Sequence, residues 1–267
     1  MILPAEQWRK VHHVSVCIVP PTEVWENITR CRRELLDPGF YRWPPHINLL
    51  YPFFDFAIDD TQDSASGNLS EIIASLEEVC RQCDPFDVQL AHFGTFGGQQ
   101  RGVLWLDPTV MVVGATNTPA DAGATTPEDE DPLVCLQSRL AGASFTVPDD
   151  ELAASNTGQS SFRPHMTVGH FATIDAARQA QSNVEEWWSP VSFPVDRIHL
   201  LHRRGANGQF LRVADIPLGG DDTRATQLHM PPVMFPGMPT QEDQWVTNAR
   251  QELRNNRKKG RPRRRKS

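Results

Sequence analysis

Long apolar runs are missing from this 267-residue chain: no stretch of about 18 apolar residues exists, so no membrane-spanning helix is expected. The N-terminus also lacks a basic region followed by an apolar core, the pattern of a secretory signal. Cysteine is sparse. The five present, Cys17, Cys31, Cys80, Cys83 and Cys135, are odd in number and follow no framework spacing. That argues against a disulfide scaffold and for a reducing compartment, so a soluble, intracellular protein of cytoplasm or nucleus is expected. Cys80 and Cys83 form a lone C-x-x-C with His92 nearby, but they end a helix predicted over Ser70 to Cys83. No second ligand pair follows at zinc spacing, so neither a metal nor a cofactor is assigned. What is present suffices for a folded enzyme, since 39% of the residues are hydrophobic.

The formal charge of −7 conceals a division. Residues 254–267 hold nine Lys or Arg and no acid, and the remaining 17 basic residues face 33 acidic ones, a net of −16. The body is therefore acidic and the tail strongly basic. Such a run is solvated and disordered, and its functional readings are RNA tethering or binding to an import receptor.

Between these limits the chain reads as strands alternating with helices. His13 to Val19 is β-rich, Thr22 to Leu36 is helical after Pro20-Pro21, and Pro45 to Phe54 reads as a strand. The helix over Ser70 to Cys83 is followed by strands over Phe86 to Phe93 and Gly102 to Leu106, joined by a Gly97-Gly98 turn. Residues 109–132 are rich in Thr, Ala, Gly, Pro, Asp and Glu and read as a disordered surface insertion. A short helix over Leu133 to Leu140 comes next, then a strand over Ser161 to Phe171 and a helix over Ile174 to Trp188. Strands over Pro194 to Arg203 and Gln209 to Ile216 close the body. Each half supplies a helix, a histidine strand, a second helix and a hairpin, which predicts an α+β domain over 1–218 with two similar lobes and a groove between them. Residues 219–253, Pro- and Met-rich and then polar, are expected to lie outside the core, with 254–267 as a disordered tail.

One pattern occurs twice. Pro45-His46-Ile47-Asn48-Leu49 and Pro164-His165-Met166-Thr167-Val168 each place a histidine two residues before a small hydrogen-bonding side chain. In an extended strand, His46 and Asn48 share one face while Ile47 and Leu49 point to the other, and the second copy repeats this. Two imidazoles facing each other can take a proton from one oxygen and give one to another, because histidine titrates near neutrality. Asn48 and Thr167 are placed to donate to phosphoryl oxygens, and Arg163, two residues before His165, to attract phosphate. Tyr51, Phe53, Phe93 and Phe96 are candidates to stack a nucleobase, although each also suits a core.

The stretch Phe162-Arg163-Pro164-His165-Met166-Thr167-Val168-Gly169 resembles the second His-x-Thr/Ser motif of the two-histidine (2H), LigT-like phosphoesterase superfamily, and Trp43-Pro44-Pro45-His46-Ile47-Asn48-Leu49 resembles the first. Asn48 departs from the Thr or Ser usual there. The similarity of element order runs from about His12 to Leu218. It implies a LigT-like bilobal α+β fold with antiparallel-sheet lobes, catalytic histidines His46 and His165, and phosphate contacts from Asn48, Thr167 and Arg163. It further implies a metal-independent phosphodiesterase acting on RNA ends or small nucleotides with 2′,3′-cyclic or 2′-5′ linkages. A monomer is expected. The alternative is a non-catalytic RNA-binding protein of the same fold whose affinity comes from the basic tail.

Overall fold

The computed structural model describes residues 9–56, 58, 67–111, 131–143, 162–220 and 223–249. In chain order the elements are β1 (Lys10–Val11), β2 (Val14–Ile18), α1 (Trp25–Glu34), β3 (Ile47–Leu50), β4 (Phe53–Phe54), α2 (Gly67–Arg81), β5 (Phe86–Gly98) and β6 (Arg101–Met111). They continue with α3 (Pro132–Gly142), β7 (Met166–Phe171), α4 (Ile174–Glu185), β8 (Val191–Val195), β9 (Arg197–Arg203), β10 (Phe210–Pro217) and β11 (Gln227–Val233). Local chemistry explains several boundaries. Asp131 accepts from the Leu133 N–H with Pro132 at the first position of α3, and Thr173 caps α4 through the Ala176 N–H. Pro52, which has no N–H to give a ladder, follows the end of β3, so the expected single strand from Pro45 to Phe54 is two.

Two antiparallel sheets carry the α+β fold. One has the order β11-β10-β9-β2-β3 and the other β7-β6-β5-β8, while β1 and β4 form a separate ribbon. The lobes do not coincide with the halves of the chain, since each sheet takes strands from both. The two histidine segments nonetheless hold equivalent places, because β3 and β7 are edge strands of their respective sheets and lie near each other. Helix α4 packs on β5, β6 and β7, α2 packs on β10, and α1 packs on β7. One contiguous apolar core joins both sheets, with Val16, Ile47, Leu104, Val168 and Leu200 among its buried members.

Three expectations change. Residues 109–111 belong to β6 and Pro132 opens α3, so the expected insertion begins later and ends earlier; 112–130 lie outside the described residues, as does the tail 254–267. Gly97 and Gly98 lie at the end of β5 rather than between the strands, and the turn falls at residues 99–100. Finally, part of 219–253 is in the fold. β11 pairs with β10, and Phe235, Met238 and Val246 are buried, the first two against Trp25, Cys17, Leu201 and Phe210. Apolar side chains spaced along a polar, proline-rich stretch carry no period, so sequence patterning misses a segment whose partners are distant in the chain.

A buried ion pair joins the elements around the groove. Arg32 of α1 donates to Asp37 at 2.9 Å, with the two side chains 4% and 2% exposed, and its second nitrogen donates to the Trp43 carbonyl at 2.9 Å. The other Asp37 oxygen accepts from the Gly39 N–H and meets His170 of β7. Burial alone would raise the Asp37 carboxyl, but Arg32, His170 and Gly39 together hold it below the usual carboxylate range. Removing one partner would leave the other charge buried and unpaired. Asp37→Ala is therefore expected to destabilise the fold by about 3–5 kcal/mol. Denaturant unfolding checks this, and a loss under about 1 kcal/mol, the range of exposed pairs, would contradict it.

Candidate active site

The proline that opens each motif shapes the backbone around it. Pro45 and Pro164 fix φ and bias the residue before them to extended backbone, which lets the following imidazole fold back on the carbonyl two residues earlier. Nδ1 of His46 lies 2.9 Å from the Pro44 carbonyl, and Nδ1 of His165 lies 2.9 Å from the Arg163 carbonyl. A carbonyl only accepts, so in both rings Nδ1 carries the proton and donates it. With Nδ1 so committed, Nε2 is the nitrogen of each ring left to gain or lose a proton. The chain thus repeats at the level of atoms as well as of residue types.

Burial alternates along both segments. Ile47, Leu49, Met166 and Val168 are buried, while His46, Asn48, His165 and Thr167 are half-buried. The two rings nevertheless sit in different surroundings. Trp43 stacks on His46, with centroids 4.4 Å apart and planes 13° apart, and its own ring also stacks on Phe210 at 3.6 Å. His165 instead meets Phe96 edge-on at 5.1 Å and Trp105 at 6.2 Å. Trp105 lies across Gly94, where an added Cβ would fall 2.1 Å from the indole, so glycine there lets the ring settle beneath His165.

Electrostatics bears strongly on His46. Burial, with the positive charges of Arg32 and His165 adding to it, pushes His46 down to about 4, so it is neutral at physiological pH. The two rings stand at the starts of β3 and β7, which lie against each other.

Asn48 already has protein partners on both ends of its amide, with one Nδ2 hydrogen left over. Its Nδ2 lies 3.0 Å from His46 Nε2, and its Oδ1 accepts from the Ser15 hydroxyl at 2.9 Å. Ser15 is fully buried on β2. A serine in the run Val14-Ser15-Val16-Cys17 was the signal available in sequence, and Trp43, directly before Pro44-Pro45-His46, was another. Thr167 shares the His165 face of β7. Arg163 is exposed, and its guanidinium lies over Trp105 at 4.6 Å and Phe96 at 5.9 Å, the same rings that His165 meets. Of the stacking candidates, Phe96 meets His165, and Tyr51 meets Trp43 edge-on. Phe53 is 1% exposed in the core and Phe93 packs edge-on against Trp188, so neither is placed for a base. Cys80 is buried within α2. No helix among the described residues is long and apolar enough to cross a membrane.

Comparison with known proteins bears on this arrangement. Residues 20–207 match the family model described as the 2′-5′ RNA ligase superfamily. A Bacillus cereus protein whose phosphoesterase name is provisional is 23% identical over 193 residues, covering 70% of this chain and 86% of that protein. A similarly named protein of Geobacillus thermodenitrificans is 21% identical over 203 residues, covering 76% and 95%. Among solved structures, apo LigT of Escherichia coli is 18% identical with a TM-score of 0.42, covering 78% of this chain and 98% of its own. A Thermus thermophilus protein is 17% identical with a TM-score of 0.47, covering 78% and 99%. With the family model spanning well over half its length and both histidine motifs inside the match, the chain belongs to the 2′-5′ RNA ligase superfamily, a group of two-histidine, LigT-like phosphoesterases.

Proposed function

We propose that the protein is a metal-independent phosphodiesterase that hydrolyses 2′,3′-cyclic or 2′-5′ linkages at RNA ends or in small nucleotides, with His46 as general base and His165 as general acid. The observation that carries this reading is the shared Nδ1 lock, which presents Nε2 of each ring for proton transfer. His46, kept neutral, takes a proton from the attacking water. The new P–O bond forms as the bond to the leaving sugar oxygen breaks, and His165, entering the step as the imidazolium, gives that oxygen its Nε2 proton and is left neutral with Nδ1–H still on the Arg163 carbonyl. A phosphomonoester and a free hydroxyl result. Two imidazoles thus perform both proton transfers. Thr167 donates to a phosphoryl oxygen as charge builds there, and Arg163, steadied over Trp105, draws the phosphate in.

Asn48 acts through His46. Its amide donates to the neutral ring. That N–H occupies the lone pair the water proton needs, so the amide turns as the proton arrives, and Oδ1 then accepts from the ring while Nδ2 donates to Ser15, whose hydroxyl turns to the Leu50 carbonyl 3.4 Å away. No polar group loses its partner in the exchange.

Turnover of 2′,3′-cyclic nucleotides and a 2′-5′ dinucleotide in EDTA should fall by about 10²–10⁴-fold in His46→Ala and in His165→Ala, with folding retained. Full activity in either variant overturns the assignment. The pH profile tests the roles. A base must be unprotonated, so kcat/KM should hold as the pH falls and drop only near about 4, where His46 gains its proton. An acid limb at histidine's ordinary value, about 6.5, would remove His46 as the base. In Asn48→Asp a carboxylate faces Nε2 and favours the charged ring, so the same limb should move to higher pH.

A further inference from the structure

The body of the chain is acidic, yet next to Trp43 its surface reverses sign. A hollow of about 510 Å³ is lined by His12, His13, His202, Arg203, Arg204 and the 205–206 turn. Arg203 lies over the Phe210 ring at 5.2 Å, and Phe210 stacks on Trp43, so the layers run imidazole, indole, phenyl, guanidinium from His46 to Arg203. Arg42 is fixed alongside, since its carbonyl accepts from the Phe210 N–H at 2.8 Å. Arg203 donates to the Ala206 and His12 carbonyls, and Arg42 makes one long contact with the Pro38 carbonyl.

These two guanidiniums lack an anion. Among the described residues no carboxylate pairs with Arg42 or Arg203, and the nearby Asp55 is taken by Arg9 and His13. Nε of each arginine is buried without a hydrogen-bond partner. They also oppose each other: burial and then the Arg42 charge lower Arg203 from its ordinary value. Half-buried like charges held together and short of acceptors are a costly arrangement for a folded chain alone, and one that a polyvalent oxyanion relieves. Tyr51 stands at the rim, 41% exposed and edge-on to Trp43 at 5.4 Å, with its hydroxyl on the His12 carbonyl. A base leaving the histidine centre would pass over this ring.

We propose that Arg42 and Arg203 bind a second phosphate of the same substrate strand, beyond Trp43 from the reacting one, so that short oligonucleotide ends are preferred over lone cyclic nucleotides. This deepens the phosphodiesterase reading and rests on it for the position of the first phosphate.

Binding by the full chain separates the two claims. Thymidine dinucleotide carries one phosphate and the tetranucleotide three, and neither must be cleaved to be bound. Calorimetry should show tighter binding of the tetranucleotide. In Arg42→Gln/Arg203→Gln that advantage should shrink by about tenfold and dinucleotide affinity should change less than about twofold. The log–log salt slope for the tetranucleotide should also fall, by about 0.7 for each phosphate the variant no longer neutralises. Equal losses on both ligands, or no tetranucleotide advantage in the parent protein, would overturn the proposal. Should the double variant unfold, Arg42→Gln alone decides by the same comparison, with Arg42→Lys expected to recover most of the affinity. If the substitutions abolish a tetranucleotide advantage that the parent protein shows, while the parent hydrolyses no cyclic or 2′-5′ substrate, the enzymatic reading falls and the second phosphate site stands.

Discussion

Arg32 and Asp37 share an ion pair withdrawn from water, and the geometry of the groove depends on it. Such a pair is tolerated only when its remaining donors and acceptors are also met. Here they are met by groups from three directions: the Trp43 carbonyl, the Gly39 N–H and His170 of β7. Among the described residues no backbone ladder joins β3 to β7, because they end different sheets. Side chains must therefore set how the two histidine strands face each other, and Asp37 reaches both sides of the groove. The same pair anchors the loop whose Trp43 ring lies flat on His46, so one buried carboxylate steadies the stacking partner of His46 and a neighbour of the opposing strand.

From a common backbone lock the two histidines diverge through what surrounds them. Both donate Nδ1–H to a carbonyl two residues earlier, so both present the same nitrogen. His46 is then stacked on Trp43 and capped at Nε2 by Asn48, while burial and the charge of Arg32 oppose its protonation. His165 meets aromatic edges rather than a face, and its chain neighbour Arg163 reaches over the same two rings. A pair of identical side chains thus acquires unlike surroundings, the difference that the proposed division into base and acid draws on.

Sequence patterning identifies the residue types at the centre but not the contacts among them. The alternation around His46 and His165 is legible because strand period is local: Ile47 and Met166 have to be core if the histidines are not. Asn48 reads as a phosphate donor in sequence because its partner Ser15 lies 33 residues away and is brought beside it only by the pairing of β2 with β3. Phe53 and Phe93 illustrate the opposite ambiguity. An aromatic in a strand suits a base or a core equally, and the register decides. The cationic hollow is least legible, since His12, Arg42 and Arg203 meet only after β9 has crossed the chain to lie beside β2.

The C-terminal segment bears on the same site from outside the family match, which ends at residue 207. Gln209 donates to the carbonyls of both Tyr41 and Pro239, Thr247 accepts from the Tyr41 N–H, and Asp243 pairs with Arg33 at 2.9 Å. All but the Gln209–Pro239 bond end on α1 or on the loop that leads to Trp43 and His46. Phe235 adds an apolar seal, lying against Trp25 and, edge-on, against His199. His199 and His229 in turn share the buried Asp215 carboxylate, which ties β11 to β10 and β9. A loop held only at its two ends would let Trp43 leave His46. Held also by residues 209–247, it keeps the ring flat, which maintains the burial that leaves His46 neutral and able to accept a proton.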